Sequence, residues 1–328
     1  MPLTYETMLK EIISSISEEI ELFEKAYLFQ FQSDRDFLRP LLNYIGKKRG
    51  KRLRPILFFL SQGLVRKPDP NSIPIAVLLE LLHTATLVHD DIVDNAAVRR
   101  GEKTVNALWG DRVSVLVGDY LLAKVLALGV QSCWKGVLDV VSRVVMDMGR
   151  CELRQSLSPE NREMREKAYF QLIQEKTAGL FAASCELGGL IVPVSLEEKK
   201  WLNHFGDYFG MVFQIRDDIL DVSGHAEKMG KPVGQDVFNG KATLPLILAL
   251  EEISEEERQN VITMLKLSKE GDGKWIAEFI KKNSGLEKAQ ERAEDLTQKA
   301  LAILKNFKSS VYRDSMERLV MHNLERVK

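Results

Sequence analysis

The chain has 328 residues, of which 45% are hydrophobic and 28% are charged, and its formal net charge is −1 at pH 7. A chain of this length can bury a large core. The near-zero charge gives no broad electrostatic surface for nucleic acid or an acidic membrane. The cysteines, Cys133, Cys151 and Cys185, are odd in number and show no CxxC spacing. This argues against a disulfide framework or a zinc site, and it favours a reducing cytoplasm.

The N-terminal sequence Met-Pro-Leu-Thr-Tyr-Glu lacks the basic and apolar regions of a secretory signal. No stretch is expected to span a membrane without interruption. The two most apolar segments are broken by Glu80 and His83 and by Asp119 and Lys124. We interpret both segments as helices of the core.

Apolar residues recur at helical spacing along most of the chain, and alternating β-branched runs are scarce. The predicted helices cover residues 5–29, 35–48, 53–65, 75–94, 114–132, 137–155, 160–190, 196–222 and 244–252, and three or four shorter ones follow. Acid–base pairs at i,i+4 spacing after Ile253, such as Glu278 with Lys282, indicate solvent-facing outer helices. We therefore predict an all-α chain with a single domain, residues 1–328, to which the outer helices 254–328 belong.

Glycines stand beside cations in three places. These are Gly50-Lys51-Arg52-Leu53-Arg54-Pro55, Arg99-Arg100-Gly101, and the segment 223–245 with Lys228, Lys231 and Lys241. Short basic runs are usually solvated faces. Glycine next to paired cations nevertheless suits a diphosphate, because backbone N–H groups can approach it and guanidinium groups bind its oxygens bidentately. The third segment is predicted to be a mobile lid.

An aspartate cluster occurs twice, as Asp90-Asp91-Ile-Val-Asp94 and as Asp217-Asp218-Ile-Leu-Asp221. On a helix, residues i and i+4 share a face, whereas i+1 lies about 100° round the axis. A solvated face would continue polar, yet the positions upstream of Asp90 read Leu87, Thr86 and His83. Two such clusters predict two sides of one cavity. Facing carboxylates suit Mg²⁺, which completes its coordination with water and phosphate oxygens, so the predicted ligand is a polyphosphate.

These motifs and their order resemble the trans (E)-isoprenyl diphosphate synthases, also called polyprenyl synthetases, and especially their medium- and long-chain members. The resemblance rests on GKRLRP at 50–55, LHTATLVHDDIVD at 82–94, RRG at 99–101, EKTA at 175–178, FQIRDDILD at 213–221, GKPVGQD at 230–236 and GKATLP at 240–245. It implies an isoprenoid synthase-type helical bundle around a central cavity, a requirement for Mg²⁺ and a homodimer. Residues 95–98 and the basic segment 149–155 depart from the family pattern but leave the diphosphate motifs intact.

The resemblance also implies roles for individual residues. It assigns Lys51, Arg54, His83 and Arg100 to isopentenyl diphosphate, and Arg99, Lys176, Thr177, Gln214, Lys231 and Lys241 to the allylic diphosphate. It places Mg²⁺ on Asp90, Asp91, Asp94, Asp217, Asp218 and Asp221. Asp90, Asp94, Lys176, Asp217 and Lys231 are expected to act in catalysis. A lone histidine is more often a core residue, and the position of His83 seven residues before Asp90 favours the ligand role.

The implied reaction is a head-to-tail (1′-4) condensation that gives an all-trans polyprenyl diphosphate, with the departing diphosphate as the base. In this family the residues four and five before the first aspartate form the floor of the product pocket. Here they are Thr86 and Ala85, and both are small. We therefore expect a medium or long product that can be handed to a membrane, although a deeper floor, around Leu81 and Leu82 or on the helix over 121–128, stays open.

Three alternatives remain. A short-chain farnesyl or geranylgeranyl diphosphate synthase would use the same motifs. A terpene cyclase usually carries a mixed Asn/Ser/Glu motif in place of the second aspartate cluster. A non-catalytic subunit of a heteromeric prenyl synthase tends to lose aspartates, and all six are present here.

Overall fold

The computed structural model describes residues 5–48, 50–157, 164–223, 234–238, 241–267 and 273–326. Within these ranges the secondary structure is helical except for one short hairpin, β1 (Val98–Arg99) with β2 (Glu102–Lys103). The helices are α1 Tyr5–Ile12, α2 Ser17–Phe29, α3 Arg39–Lys47, α4 Leu53–Gly63, α5 Ile73–Val93, α6 Val105–Trp109, α7 Asp111–Gln131, α8 Val137–Leu157, α9 Glu166–Ile173, α10 Gly179–Ile191, α11 Leu196–Val222, α12 Gln235–Phe238, α13 Leu244–Leu250, α14 Glu255–Leu267, α15 Gly273–Lys282, α16 Gly285–Leu304 and α17 Val311–Glu325. The predicted all-α class is confirmed.

The chain divides into two compact units. The first comprises residues 1–142, 183–202 and 307–316, and the second comprises 143–182, 203–306 and 317–328. The outer residues 254–328 are shared between them. The assignment of 1–328 to one domain stays a prediction.

Helix α5 is the central element of the first unit and contacts α2, α4 and α7. It follows a 3₁₀ turn at Pro70–Ser72, and Pro74 lies in its first turn, where the missing N–H has no intrahelical partner. The residues from Ile75 to Leu82 are all buried. Apolar residues on every face of this stretch therefore mark it as a core helix.

Two helical segments, Pro70–Val93 and Asp111–Gln131, are long and apolar enough to cross a membrane by length and composition. Both contain the interrupting polar residues, Glu80 and His83 in the first and Asp119 and Lys124 in the second, and length and composition alone do not make either one a membrane span. Core helices of soluble proteins can have the same length and composition, and 67% of the most apolar stretch of the first segment is buried. Only 33% of the second is buried, so α7 exposes much of its apolar surface.

Helix α11 organises the second unit. Its residues Val212, Ile215 and Ile219 lie in one apolar core with Leu244 and Leu248 of α13. Their spacing follows one helical face, which packs inward. This packing fixes the rotation of α11 and therefore the directions in which the aspartates of the second cluster project.

The structure departs from the predicted elements in several places. The described part of the helix predicted over 160–190 consists of α9, a π-helix at Gln174–Ala178 and α10. A 3₁₀ turn at Ile13–Ile16 interrupts the first predicted helix, and α3 begins at Arg39 and not at Arg35. Most of the predicted lid, including Lys231, lies outside the described residues.

Candidate functional site

The first aspartate cluster ends α5. Asp90 is half-buried and Asp94, the C-terminal capping residue of the helix, is exposed. Asp91 lies on the inner side with 4% exposure, and its Oδ1 accepts a hydrogen bond from Arg99 Nε at 2.5 Å. The outer carboxylates are therefore accessible to a ligand, and the middle one is held within the protein.

The hairpin after α5 presents the arginine pair in two different ways. Arg100 and Gly101 occupy its turn with φ of 54° and 79°, the left-handed backbone that a tight two-residue hairpin turn requires. Arg99 turns back to Asp91, whereas Arg100 is exposed. Two adjacent cations are thus placed in different surroundings.

A buried anion, Glu80, lies beneath the cations of the first unit. Its Oε1 accepts a hydrogen bond from Arg52 Nη1 at 3.0 Å, and its side chain is almost fully buried. Arg52 has a left-handed backbone with φ of 53° and also pairs with Glu24 at 2.9 Å. Arg52 stands between Lys51 and Arg54 in the sequence. Its ion pairs with Glu80 and Glu24 therefore hold the GKRLRP motif in place. Neither Glu80 nor Arg52 was among the predicted site residues, although a carboxylate within an apolar run was a visible signal.

Two predicted ligands of isopentenyl diphosphate lie in this buried cationic environment. Burial lowers the pKa of Arg54 to about 10, so its guanidinium stays charged at neutral pH. Burial, followed by the nearby charges of Arg54 and Arg100, lowers the pKa of His83 well below its usual value. His83 is therefore a neutral imidazole at pH 7 and can donate one hydrogen bond to a phosphate oxygen.

The second aspartate cluster repeats the arrangement of the first. Asp217 and Asp221 are half-buried, whereas Asp218 has 4% exposure. Asp218 accepts hydrogen bonds from Tyr169 Oη at 2.7 Å, Gln214 Nε2 at 2.9 Å and the Leu244 amide at 3.1 Å. Burial raises the pKa of Asp218 to about 7, against the opposing effect of these hydrogen bonds. The middle carboxylate again has protein partners.

The outer aspartates of this cluster also make defined contacts. Asp217 Oδ1 pairs with Arg326 Nη2 at 2.7 Å, and the Arg326 guanidinium lies 4.0 Å from the centre of the Phe213 ring. Asp221 Oδ2 accepts a hydrogen bond from the Asp236 amide at 3.1 Å. Sequence reasoning missed Arg326 and Tyr169, because pairing over about a hundred residues or across two helices leaves no local pattern.

The predicted allylic ligands of the second unit form connected pairs. Thr177 Oγ1 donates to Gln214 Oε1 at 3.0 Å, and Gln214 leads on to Asp218. Lys176 forms an ion pair with Glu152. Lys241 pairs with Asp236 at 3.0 Å, next to the partner of Asp221.

The chemistry of the outer carboxylates suits Mg²⁺, a hard cation that prefers oxygen ligands. Among the described residues, no group of three or more His, Cys, Asp or Glu side chains is placed to hold a metal ion. Each motif instead offers two accessible outer carboxylates, and Mg²⁺ typically takes one or two and completes its shell with water and phosphate. The assignment of all six aspartates as ligands stays a prediction, and the middle two differ from the outer four in being buried against their protein partners.

The predicted floor residues lie one turn or more before Asp90 on α5. Ala85 is fully buried, and Thr86 is half-buried with its hydroxyl bonded to the His83 carbonyl at 2.9 Å. Both side chains are small, and their surroundings hold them in place.

Comparison with known proteins places this chain among relatives. The polyprenyl synthetase family model matches residues 35–282. Octaprenyl diphosphate synthase of Escherichia coli (strain K12) is 33% identical over 312 residues, which cover 94% of this chain and 96% of that protein. Heptaprenyl diphosphate synthase component 2 of Bacillus subtilis (strain 168) is 33% identical over 308 residues, which cover 94% and 88%. The crystal structure of polyprenyl synthase from Caulobacter crescentus CB15, complexed with calcium and isoprenyl diphosphate, superposes with a TM-score of 0.90 at 30% identity and covers 98% of both chains. With its motifs in order and its all-α fold confirmed, the chain belongs to the polyprenyl synthetase family.

Proposed function

We propose that this prenyltransferase condenses isopentenyl diphosphate with an allylic diphosphate in the head-to-tail (1′-4) sense and releases an all-trans polyprenyl diphosphate of medium or long chain. The observation that carries this proposal is the shared arrangement of the two aspartate motifs. Each has accessible outer carboxylates and a buried, hydrogen-bonded middle one. A merely solvated acidic face would not bury its middle member.

The outer carboxylates, Asp90 with Asp94 and Asp217 with Asp221, are the proposed metal ligands. Bound Mg²⁺ would supply positive charge to the allylic diphosphate. Calcium accompanies isoprenyl diphosphate in the Caulobacter crescentus structure, which supports a divalent cation at this kind of site.

Protein cations are proposed to bind and orient the two substrates. Lys51, Arg54, Arg100 and neutral His83 hold isopentenyl diphosphate, and Arg99, Lys176, Thr177, Gln214, Lys231 and Lys241 hold the allylic diphosphate. The allylic C–O bond breaks and its electron pair leaves with diphosphate. The isopentenyl double bond attacks the allylic carbon, and the departing diphosphate takes the proton that is lost. Fixed cations favour this step because they stabilise the charge that develops on the leaving group.

Product length is proposed to follow from the small floor residues Ala85 and Thr86. An isoprenoid tail can pass small side chains before it meets a deeper floor. The names of the octaprenyl and heptaprenyl relatives agree with a product of this class.

A homodimer is proposed to form through α7. Its exposed apolar residues include Leu116, Leu126 and Val130, at 59%, 58% and 73% exposure. A contiguous apolar surface on one helix is typical of a subunit interface. The proposed partner is a second copy of this chain. One relative is named heptaprenyl diphosphate synthase component 2, so a different subunit as partner is the alternative that the test would distinguish.

The proposed location is the cytoplasm. Cys133, Cys151 and Cys185 are all free thiols, as a reducing compartment would keep them. The finished product would pass to a membrane.

The test is condensation by the purified protein. Radiolabelled isopentenyl diphosphate would be incubated with dimethylallyl, geranyl, farnesyl or geranylgeranyl diphosphate, with Mg²⁺ or with EDTA, and the extracted products sized. We expect Mg²⁺-dependent incorporation into products beyond twenty carbons. An inactive pure protein would support the non-catalytic subunit, and cyclised hydrocarbons would support a terpene cyclase.

A further inference from the structure

The π-helix at Gln174–Ala178 carries two of the proposed allylic ligands, Lys176 and Thr177. π-Helices are rare because their hydrogen bonds close a wider, less well packed turn, and they occur most often at functional sites. The side chains that contact this π-helix are therefore candidates for positioning Lys176 and Thr177.

Helix α11 holds the π-helix at two points. Gln174 Nε2 donates to Asp207 Oδ2 at 2.8 Å, and Thr177 Oγ1 donates to Gln214 Oε1 at 3.0 Å. Asp207 and Gln214 lie seven residues apart, two turns along one face of α11. One rigid helix thus fixes both ends of the π-helical segment.

Helix α8 holds the two residues between them. Arg154 Nη2 donates to Glu175 Oε2 at 2.6 Å, and Glu152 forms an ion pair with Lys176. Arg154 belongs to the basic segment in which this sequence departs from its family. Its partner, Glu175, is the first residue of the EKTA motif. The unusual basic segment therefore contacts a family motif directly.

The backbones also approach closely at this point. A Cβ atom on Gly210 of α11 would lie 2.5 Å from Ala178 Cα. Ala178 itself is fully buried. Hydrogen bonds, ion pairs and close packing therefore converge on this five-residue segment.

We propose that Asp207 and Arg154 are positioning residues that hold the π-helix so that Lys176 and Thr177 face the allylic diphosphate. This inference rests on the proposed function. Neither residue is among the proposed substrate ligands, and neither lies within the aspartate motifs. Both act through the polar side chains of the π-helix, Gln174 and Glu175.

The test compares disruptive and conservative substitutions. Asp207→Ala and Arg154→Ala should each raise KM for the allylic substrate on the order of 10-fold, because a small misplacement of binding groups weakens their contacts. KM for isopentenyl diphosphate should stay within about 2-fold, since its proposed ligands lie on other elements. Asp207→Asn and Arg154→Lys should restore near wild-type values, because each keeps the acceptor or the donor. Arg150→Ala is the matched control, since Arg150 pairs with Asp147 one turn earlier on the same helix.

Calorimetry with a non-hydrolysable allylic thiolodiphosphate and Mg²⁺ gives a second readout that needs no turnover. We expect its Kd to rise in step with the allylic KM in the two alanine variants. Three results would each overturn the inference. The alanine variants could raise both KM values equally, they could match an active wild type, or the conservative variants could fail to restore binding. A wild-type protein that neither turns over nor binds the analogue would refute the proposed function as well. Thermal unfolding of every variant separates misfolding from mispositioning.

Discussion

Single residues in the two aspartate motifs have distinct surroundings. Helical spacing predicted that Asp90 and Asp94 share a face and that Asp91 lies about 100° away from it. It could not say which face is buried, because that depends on helices distant in sequence. The structure buries Asp91 against Arg99 and Asp218 against Tyr169. Sequence therefore located the motifs, and tertiary packing distinguished their members.

The first prediction separates activity from stability within one motif. Asp90→Ala and Asp94→Asn should lower kcat/KM by more than about 100-fold, because each removes a proposed metal ligand and not merely an outer-shell partner. Asp91→Asn should lower the free energy of unfolding by about 1–3 kcal/mol, since it weakens a buried charged hydrogen bond. Steady-state kinetics and chemical denaturation measure the two effects. Stability losses of equal size in all three variants would contradict this separation between metal-binding aspartates and a structural one.

The second prediction concerns the arginine pair. Arg99→Ala should raise KM mainly for the allylic substrate, and Arg100→Ala should raise it mainly for isopentenyl diphosphate. Arg99→Ala should also lower the melting temperature, because Asp91 loses its ion-pair partner. Identical kinetic defects in both variants would mean that the hairpin acts as one undivided positive patch.

At the scale of elements, sequence patterns predicted helices better than their interruptions. Helix α11 has the predicted bounds, Leu196–Val222, because Val192-Pro193 ends the preceding helix and the apolar spacing runs unbroken. The π-helix was not predicted. Its residues have ordinary helical propensity, and its shape goes with contacts to α8 and α11 that no local window contains.

The third prediction follows from Asp207, whose pKa burial raises from 3.8 to about 6. A raised carboxylate pKa means that the folded state holds the proton more tightly than the unfolded state. The corresponding stability is present below about pH 4 and is lost as the pH rises through 6. Asp207→Asn should therefore be more stable than the wild type at pH 8, and the difference should shrink at pH 5. Thermal unfolding across this range measures it, and a difference that grows on acidification would contradict the assignment.

At the scale of the whole molecule, the class and family could be predicted because helical periodicity and ordered motifs extend over most of the chain. The anchors of the site could not be predicted in this way. Arg326 pairs with Asp217 from the far end of the sequence, and Glu80 looked like an interruption of an apolar helix. Such pairs become visible only when the chain is folded.

The fourth prediction concerns assembly. Leu116→Glu combined with Leu126→Glu should convert a dimer into a monomer, because two charges would have to be buried in the apolar α7 interface. Phe37→Glu is the matched control, since Phe37 is an exposed apolar residue outside α7. Analytical ultracentrifugation gives the mass of each variant. A wild-type monomer, or a double variant that remains dimeric, would contradict the assignment of α7.

The most direct test of the central claim, that this protein makes a medium- or long-chain polyprenyl diphosphate, is the product length of the wild type and of Ala85→Phe. Ala85 lies about 7.5 Å along α5 from Asp90 at 1.5 Å per residue, so an aromatic ring there should block the growing chain. The wild type should give products beyond twenty carbons, and Ala85→Phe should give shorter products at a higher steady-state rate. The rate should rise because each added isoprene unit buries about five carbons, worth ~0.8 kcal/mol each, and slows release. Wild-type products of twenty carbons or fewer would contradict the claim, and an unchanged distribution in Ala85→Phe would place the floor elsewhere.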